Sequence, residues 1–226
     1  DGSVKIGEIH FNRSNYRDFN NRMLPGFVRD AVKKYWNAQL IRELKKLKKF
    51  VVLTREDEAL WTELDNVTTI HNPLPFYPGP DRVSPCTAKQ AIAVGRYTWQ
   101  KGFDLLIEAW KRVAVRHPDW TLRIYGGGDP TIYARMVEEA GLRRTCRLEG
   151  VTDDVVGRFC ESSVFVLSSR FEGFGLVVAE AMACGVPPVA FACPCGPKDI
   201  IRDGEDGLLA KNGDVEDLAE KLSLIH

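Results

Sequence analysis

Apolar residues follow two rhythms along this chain. Short runs rich in apolar residues at 91–94, 121–125, 145–149, 164–167 and 188–191 predict strands. Between them the apolar residues recur every three or four positions. Phe103, Leu106, Ile107, Trp110 and Val113 predict a helix over 103–115. Asp129-Pro130 starts another, which Gly141 ends. Asp153 opens a third that runs to about residue 161, and 176–184 forms a fourth, apolar on nearly every side. Strands alternating with helices predict an α/β fold: a parallel sheet with helices on both faces, whose ligands bind at the carboxyl ends of the strands.

Upstream the pattern is similar but less regular. Residues 4–11, 50–54 and 67–71 predict strands, and 29–48 and 55–64 predict helices. The 29–48 helix is amphipathic, with Val28, Val32, Tyr35, Leu40, Leu44 and Leu47 on its apolar side. Pro73, Pro75, Pro78 and Pro80 interrupt the chain and mark a boundary. The expected organisation is a first part over 1–72, a Pro-rich linker over 73–90 and a second domain over 91–226. The chain starts with Asp-Gly-Ser, and 214–226 reads as a helix cut short, so a fragment of a longer protein is expected.

The 226 residues hold 31 Lys and Arg against 31 Asp and Glu. That balance argues against a nucleic-acid binder. No apolar run reaches membrane-spanning length and no secretory signal is visible, so a cytoplasmic protein is expected. The six cysteines lack the paired spacing of a zinc site and read as free thiols. Charge is uneven: eight basic residues lie between Arg29 and Lys49 against Asp30 and Glu43. This segment is either a solvated basic helix face or a contact with an anionic membrane surface, which would place the protein at the inner face of the membrane.

Four strand-to-helix loops should share one edge of the sheet. The first, 94–102, holds Gly95, Arg96 and Lys101. A cation opening a helix opposes the helix dipole, and an anion bound among Arg96, Lys101 and the helix terminus would resolve the conflict. Alone, both cations read more readily as solvated surface charges. The second carries Gly126, Gly127 and Gly128, which allow a ligand close to the backbone or make a simple tight turn. The third, at Gly150-Val151, could meet a base, or serve only as the approach to a helix cap at Asp153. The fourth holds Glu172, two glycines and then Glu180, a lone carboxylate in an apolar helix. A charge there needs either a basic partner such as an arginine or a polar ligand.

Gly95-Arg96 with Lys101-Gly102, the Gly126–Gly128 triplet, Glu172-Gly173-Phe174-Gly175 followed by Glu180-Ala181-Met182-Ala183-Cys184-Gly185-Val186-Pro187, and Gly204-Glu205-Asp206-Gly207 together resemble the nucleotide-sugar half of retaining GT-B glycosyltransferases, family 4 above all. Val52-Leu53-Thr54 and Ile70-His71-Asn72-Pro73 resemble the end of that family's N-terminal, acceptor-side domain, so the resemblance implies a GT-B-like Rossmann domain over 91–226 preceded by a partial second Rossmann-like domain over 1–72. The resemblance implies that Arg96 and Lys101 hold the diphosphate of a UDP- or GDP-sugar, Glu180 the ribose hydroxyls, and Glu172 the donor sugar. It puts the backbone of Gly95, Gly127, Gly128, Phe174, Gly175 and Leu176 near the sugar and phosphates, and Val151 near the base. His10 would face the sugar, although a histidine at a strand end is as often structural. The implied reaction moves a sugar onto a glycan or lipid-linked glycan acceptor, as in polysaccharide synthesis.

There is no Asp-x-Asp run, so no metal cofactor is expected; fixed cations and a helix terminus can stabilise a leaving diphosphate instead. The other readings are a non-catalytic nucleotide-sugar-binding module and a GT-B epimerase or phosphorylase. A hydride-transferring Rossmann enzyme is disfavoured, because Gly-x-Gly-x-x-Gly is missing.

Overall fold

The computed structural model describes residues 4–10, 12, 13 and 25–224. The chain divides into two compact units, Asp1–Asn72 and Pro73–His226. Among the described residues no helix is long and apolar enough to cross a membrane.

The first unit is a three-stranded parallel sheet in the order β1-β2-β3, with β1 at Ile6–Glu8, β2 at Lys49–Val52 and β3 at Val67–Thr69. Helix α1 spans Gly26–Leu44, so it starts and stops earlier than the 29–48 that its apolar spacing predicts. Leu40, Ile41, Leu44 and Leu47 pack on Ile9, Phe50, Val52 and Trp61, whereas Tyr35, expected on the apolar side, is 67% exposed. No residue of α1 is fully buried, so only its second half behaves as an amphipathic helix.

The helix expected over 55–64 is a single turn, α2, at Arg55–Glu58. Thr54 caps it by accepting the Asp57 amide at 3.0 Å. The indole N–H of buried Trp61 then donates back to Asp57 at 3.2 Å, and seating that ring against Phe50 turns the chain out of the helix.

The second unit is a six-stranded parallel sheet in the order β6-β5-β4-β7-β8-β9. Its strands are β4 (Gln90–Val94), β5 (Thr121–Tyr125), β6 (Cys146–Glu149), β7 (Val164–Leu167), β8 (Pro188–Phe191) and β9 (Leu208–Ala210). β7 and β8 are buried at every position, as a strand covered on both faces requires.

On one face α3 (Phe103–Arg116), α4 (Thr131–Glu139) and α8 (Val215–Leu222) close a core around Leu106, Ile107, Trp110, Ile124 and Leu218. On the other, α5 (Val155–Cys160) and α6 (Leu176–Ala183) cover Ile92, Phe165 and Leu167 through Phe159, Val178 and Ala181. A short α7 (Pro197–Ile200) and β9 complete the unit. The α5 cap is Asp154, whose carboxylate accepts the Gly157 amide at 3.0 Å, rather than the expected Asp153. Residues 73–90, expected as a linker, belong to this unit, and buried Ser84 joins it by donating to the Ser162 carbonyl at 2.6 Å. None of the six cysteines forms a disulfide.

The strand order reverses between β4 and β7. The loops that follow these two neighbours leave the same edge and diverge to opposite faces, which opens a crevice between them.

Candidate functional site

Two loops flank that crevice, and the structure fastens them together. After β4 the chain forms a 3-10 turn at Trp99–Lys101 and then enters α3 through Gly102. Gly102 has φ +63° and its α-carbon lies against the Ser168 carbonyl, so any side chain there would collide with that oxygen. Ser168 Oγ donates to the Lys101 carbonyl at 2.9 Å, the Arg170 amide donates to the Gln100 carbonyl at 2.8 Å, and Gln100 Nε2 donates to the Phe171 carbonyl at 3.1 Å. Arg170 forks Asp104 at 2.9 and 2.6 Å, donates to the Trp99 carbonyl at 2.6 Å and lies 4.7 Å over the Trp99 ring. Burial pushes the Asp104 carboxyl up, but the Arg170 hydrogen bonds and charge outweigh it and hold the group below its usual range.

The result is an ion pair in the crevice: Lys101 Nζ meets Glu172 Oε1 at 2.7 Å, with the two side chains only 16% and 8% exposed. Ser169 Oγ donates to the same oxygen at 2.6 Å. The reading of Lys101 as a solvated surface charge therefore fails. Arg96, in the same loop, is exposed and has no ion pair or hydrogen-bonded partner for its side chain among the described residues.

The glycine loop after β5 lies beside the first. Gly95 N–H donates to Tyr125, Tyr97 N–H to Gly127 and Gly126 N–H to Gly150, which continues the sheet spacing beyond the strands. Gly128 bridges to Tyr97. Gly126 faces the Gly95 carbonyl so closely that a β-carbon has no room. The Tyr97 hydroxyl is 2.9 Å from the carbonyls of Ile124 and Glu149, and burial pushes its pKa up to about 12. Val151 is 77% exposed at the rim.

Helix α6 leaves the fourth loop. Phe174 is buried, Gly175 is the N-cap with φ +84°, Leu176 is half-buried, and no side chain caps the opening amides. Glu180 sits one turn in, and helical side chains lean toward the N-terminus, that is, toward the crevice edge. Its carboxylate has no hydrogen bond or ion pair among the described residues, so of the two alternatives, a basic partner or a polar ligand, the basic partner is not there. Burial alone pushes its carboxyl up. The apolar helix is also less buried than its composition suggested, with only Val178 and Ala181 fully covered.

His10 belongs to the first unit, where it is exposed and 3.6 Å from Glu8. A groove of about 550 Å³ lined by Lys89, His117, Asp119, Trp120 and Ser163 lies by the amino ends of the strands and contains none of the candidate site residues. Among the described residues no group of three potential metal ligands is assembled.

The sequence reading missed Ser169, Gln100, Arg170 and Asp104. The signal for Ser169 was a small polar residue just past a fully apolar strand and three positions before Glu172.

The family model of "Glycosyl transferases group 1" matches residues 81–225, which takes in this entire crevice. The chain belongs to this family. An uncharacterized glycosyltransferase of Haemophilus influenzae is 33% identical over 181 residues, 78% of this chain and 51% of the relative. A poly(ribitol-phosphate) alpha-N-acetylglucosaminyltransferase of Staphylococcus aureus is 31% identical over 187 residues, 81% of this chain and 38% of the relative. Among solved structures, a mutant of S. aureus TarM in complex with fondaparinux, alpha-GlcNAc-glycerol and UDP superimposes with TM-score 0.80 at 29% identity, covering 98% of this chain and 43% of that one. The group 1 chain thus has the GT-B glycosyltransferase fold and spans about half, or less, of the length of these relatives.

Proposed function

We propose that the protein to which this chain belongs is a retaining glycosyltransferase of family 4 type. It transfers a hexosyl group from a nucleoside-diphosphate sugar, a UDP-sugar foremost, to a glycan or lipid-linked glycan acceptor, without a metal ion. The observation that carries the reading is the 2.7 Å pair of Lys101 and Glu172 at the strand-order reversal.

The roles follow from the charges. Lys101 has three ammonium protons and spends one on Glu172. The others, with the Arg96 guanidinium and the uncapped amides of α6, are donors for the diphosphate. As the glycosyl–phosphate bond breaks, negative charge grows on the leaving diphosphate, and fixed positive groups stabilise it without reorganising. Glu172 lies on the sugar side of this cluster, where its carboxylate steadies an electron-deficient anomeric carbon. Glu180, whose carboxylate has no partner among the described residues, is an acceptor for the two ribose hydroxyls, and the loop at Gly127 and Val151 receives the base. The UDP bound in the TarM structure supports the choice of base. The first unit supplies acceptor-side elements, and basic α1 supplies contact with an anionic membrane.

A thermal-shift series with UDP, GDP, ADP and CDP tests the binding half of this reading, since a ligand of the folded state raises its melting temperature by mass action. Release of UDP from UDP-glucose and UDP-N-acetylglucosamine by the complete protein tests the chemistry. Binding without release or transfer identifies a non-catalytic module instead. No binding of any nucleotide ends the proposal.

A further inference from the structure

Glu172 is held more tightly than an ion pair alone would hold it. Its amide donates to the Pro194 carbonyl at 2.7 Å and its carbonyl accepts the Cys195 amide at 3.0 Å, so the backbone is fixed from both sides. The carboxylate is then fixed at Oε1 by two donors from different loops, Lys101 Nζ at 2.7 Å and Ser169 Oγ at 2.6 Å.

These donors differ in one respect that matters once a ligand arrives. Lys101 belongs to the anion-binding cluster, so a diphosphate competes with Glu172 for its ammonium. Ser169 is wholly buried, and its one hydroxyl proton is committed to Glu172. When the lysine turns part of its hydrogen bonding to phosphate, Ser169 keeps the carboxylate aimed. Bonds between a hydroxyl and an ionised acceptor are short and strong, and in a dry pocket they set side-chain torsions firmly.

We infer that Ser169 is a positioning residue for sugar transfer, acting through Glu172 rather than on the substrate. The inference rests on the glycosyltransferase reading above and adds to it a residue that touches neither donor nor acceptor. It separates two readouts. Nucleotide binding uses Lys101, Arg96, Glu180 and the α6 terminus, none of which Ser169 touches through its side chain. Turnover uses the aimed carboxylate.

The test is Ser169→Ala in the complete protein, with UDP-glucose and UDP-N-acetylglucosamine as donors and UDP as the binding probe. Loss of a hydrogen bond to a charged group predicts a kcat lower by about 10- to 100-fold. KM for the donor and the UDP-induced rise in melting temperature should stay near the parent values. Ser169→Thr, which keeps the hydroxyl, should recover most of the rate. In a Glu172→Gln background, where aiming no longer matters, Ser169→Ala should change kcat little further.

A kcat for Ser169→Ala within about threefold of the parent would overturn the inference, as would a UDP shift that falls in step with kcat, the mark of general damage. If Ser169→Ala does not fold, the Thr variant decides: a retained hydroxyl with parental melting but a rate still lowered by more than tenfold also overturns it. A parent protein that neither binds UDP nor releases it from these donors removes the glycosyltransferase reading first, and this inference falls with it.

Discussion

Lys101 Nζ stands 2.7 Å from Glu172 Oε1, so the charges carried by the loops after β4 and β7 are mutual counter-ions across the crevice. Both side chains are nearly buried, and breaking such a pair from one side leaves a charge without its partner. Lys101→Met should therefore lower unfolding stability by about 3 kcal/mol, the low end for a buried pair. Adding Glu172→Gln should return most of that loss, because the carboxylate that lost its lysine counter-ion is replaced by a neutral amide. Denaturant titration of the two singles and the double gives the coupling directly. The same lysine change should cost transfer about 2–4 kcal/mol of transition-state stabilisation, the scale of a lost oxyanion donor, and this part is not returned by the second change. Full recovery of rate in the double variant would contradict the diphosphate role.

Gly102 is the point where the two loops touch backbone to backbone. Gly102→Ala combines a left-handed φ of +63° with a collision against the Ser168 carbonyl. Gly141 has a similar φ of +70° but open space around its α-carbon. Alanine at Gly141 should cost about 1 kcal/mol, the conformational penalty alone. Alanine at Gly102 should cost at least about 1 kcal/mol more, through the shift that steric overlap forces. Melting curves of the two variants separate strain from collision; equal losses would show that the loops part freely.

Much of the second unit is legible from the sequence, for a physical reason. β4, β7 and β8 are short apolar runs, and α3 places its apolar residues at helical spacing, so periodicity alone marks them. β9 and α7 are three and four residues long, too short to show a period. The 55–64 helix fails because Trp61 gains more by burying its ring and bonding Asp57 than the chain gains from further helical turns. Asp153 and Asp154 are adjacent acids before the same helix, and only backbone geometry chooses between them. In the site, the meeting of Lys101 with Glu172 follows from loop order once the sheet is parallel. The Ser169 and Arg170 contacts depend on how two irregular loops fold over one another, which no spacing rule encodes.

Glu180 gives a prediction with opposite signs for stability and binding. Burial raises its carboxyl above the ordinary value of 4.5. Between that value and the raised one, the folded state holds more proton than the unfolded state, so stability falls as pH rises through the window. Glu180→Gln removes the ionisation. The variant should melt above the parent at pH 7, and the gap should shrink as pH falls through the raised value toward 4.5. Its affinity for UDP should drop about 10- to 100-fold, the equivalent of a lost charged hydrogen bond. A UDP affinity unchanged by the substitution would remove the ribose role while leaving the pH effect in place.

Helix α1 is the other feature whose chemistry outruns its packing. None of its residues is fully buried, Phe27 and Tyr35 are 77% and 67% exposed, and Arg29, Lys33 and Lys34 lie among them. Basic and aromatic residues together suit an anionic lipid surface, where each cation contributes roughly 1 kcal/mol. The complete protein should sediment with phosphatidylglycerol vesicles but not with phosphatidylcholine vesicles, and 0.5 M salt should release it as screening shortens the range of the attraction. Lys33→Gln with Lys34→Gln should weaken the binding by about 2 kcal/mol, close to thirtyfold. Binding indifferent to lipid charge and salt would leave α1 as a solvated helix.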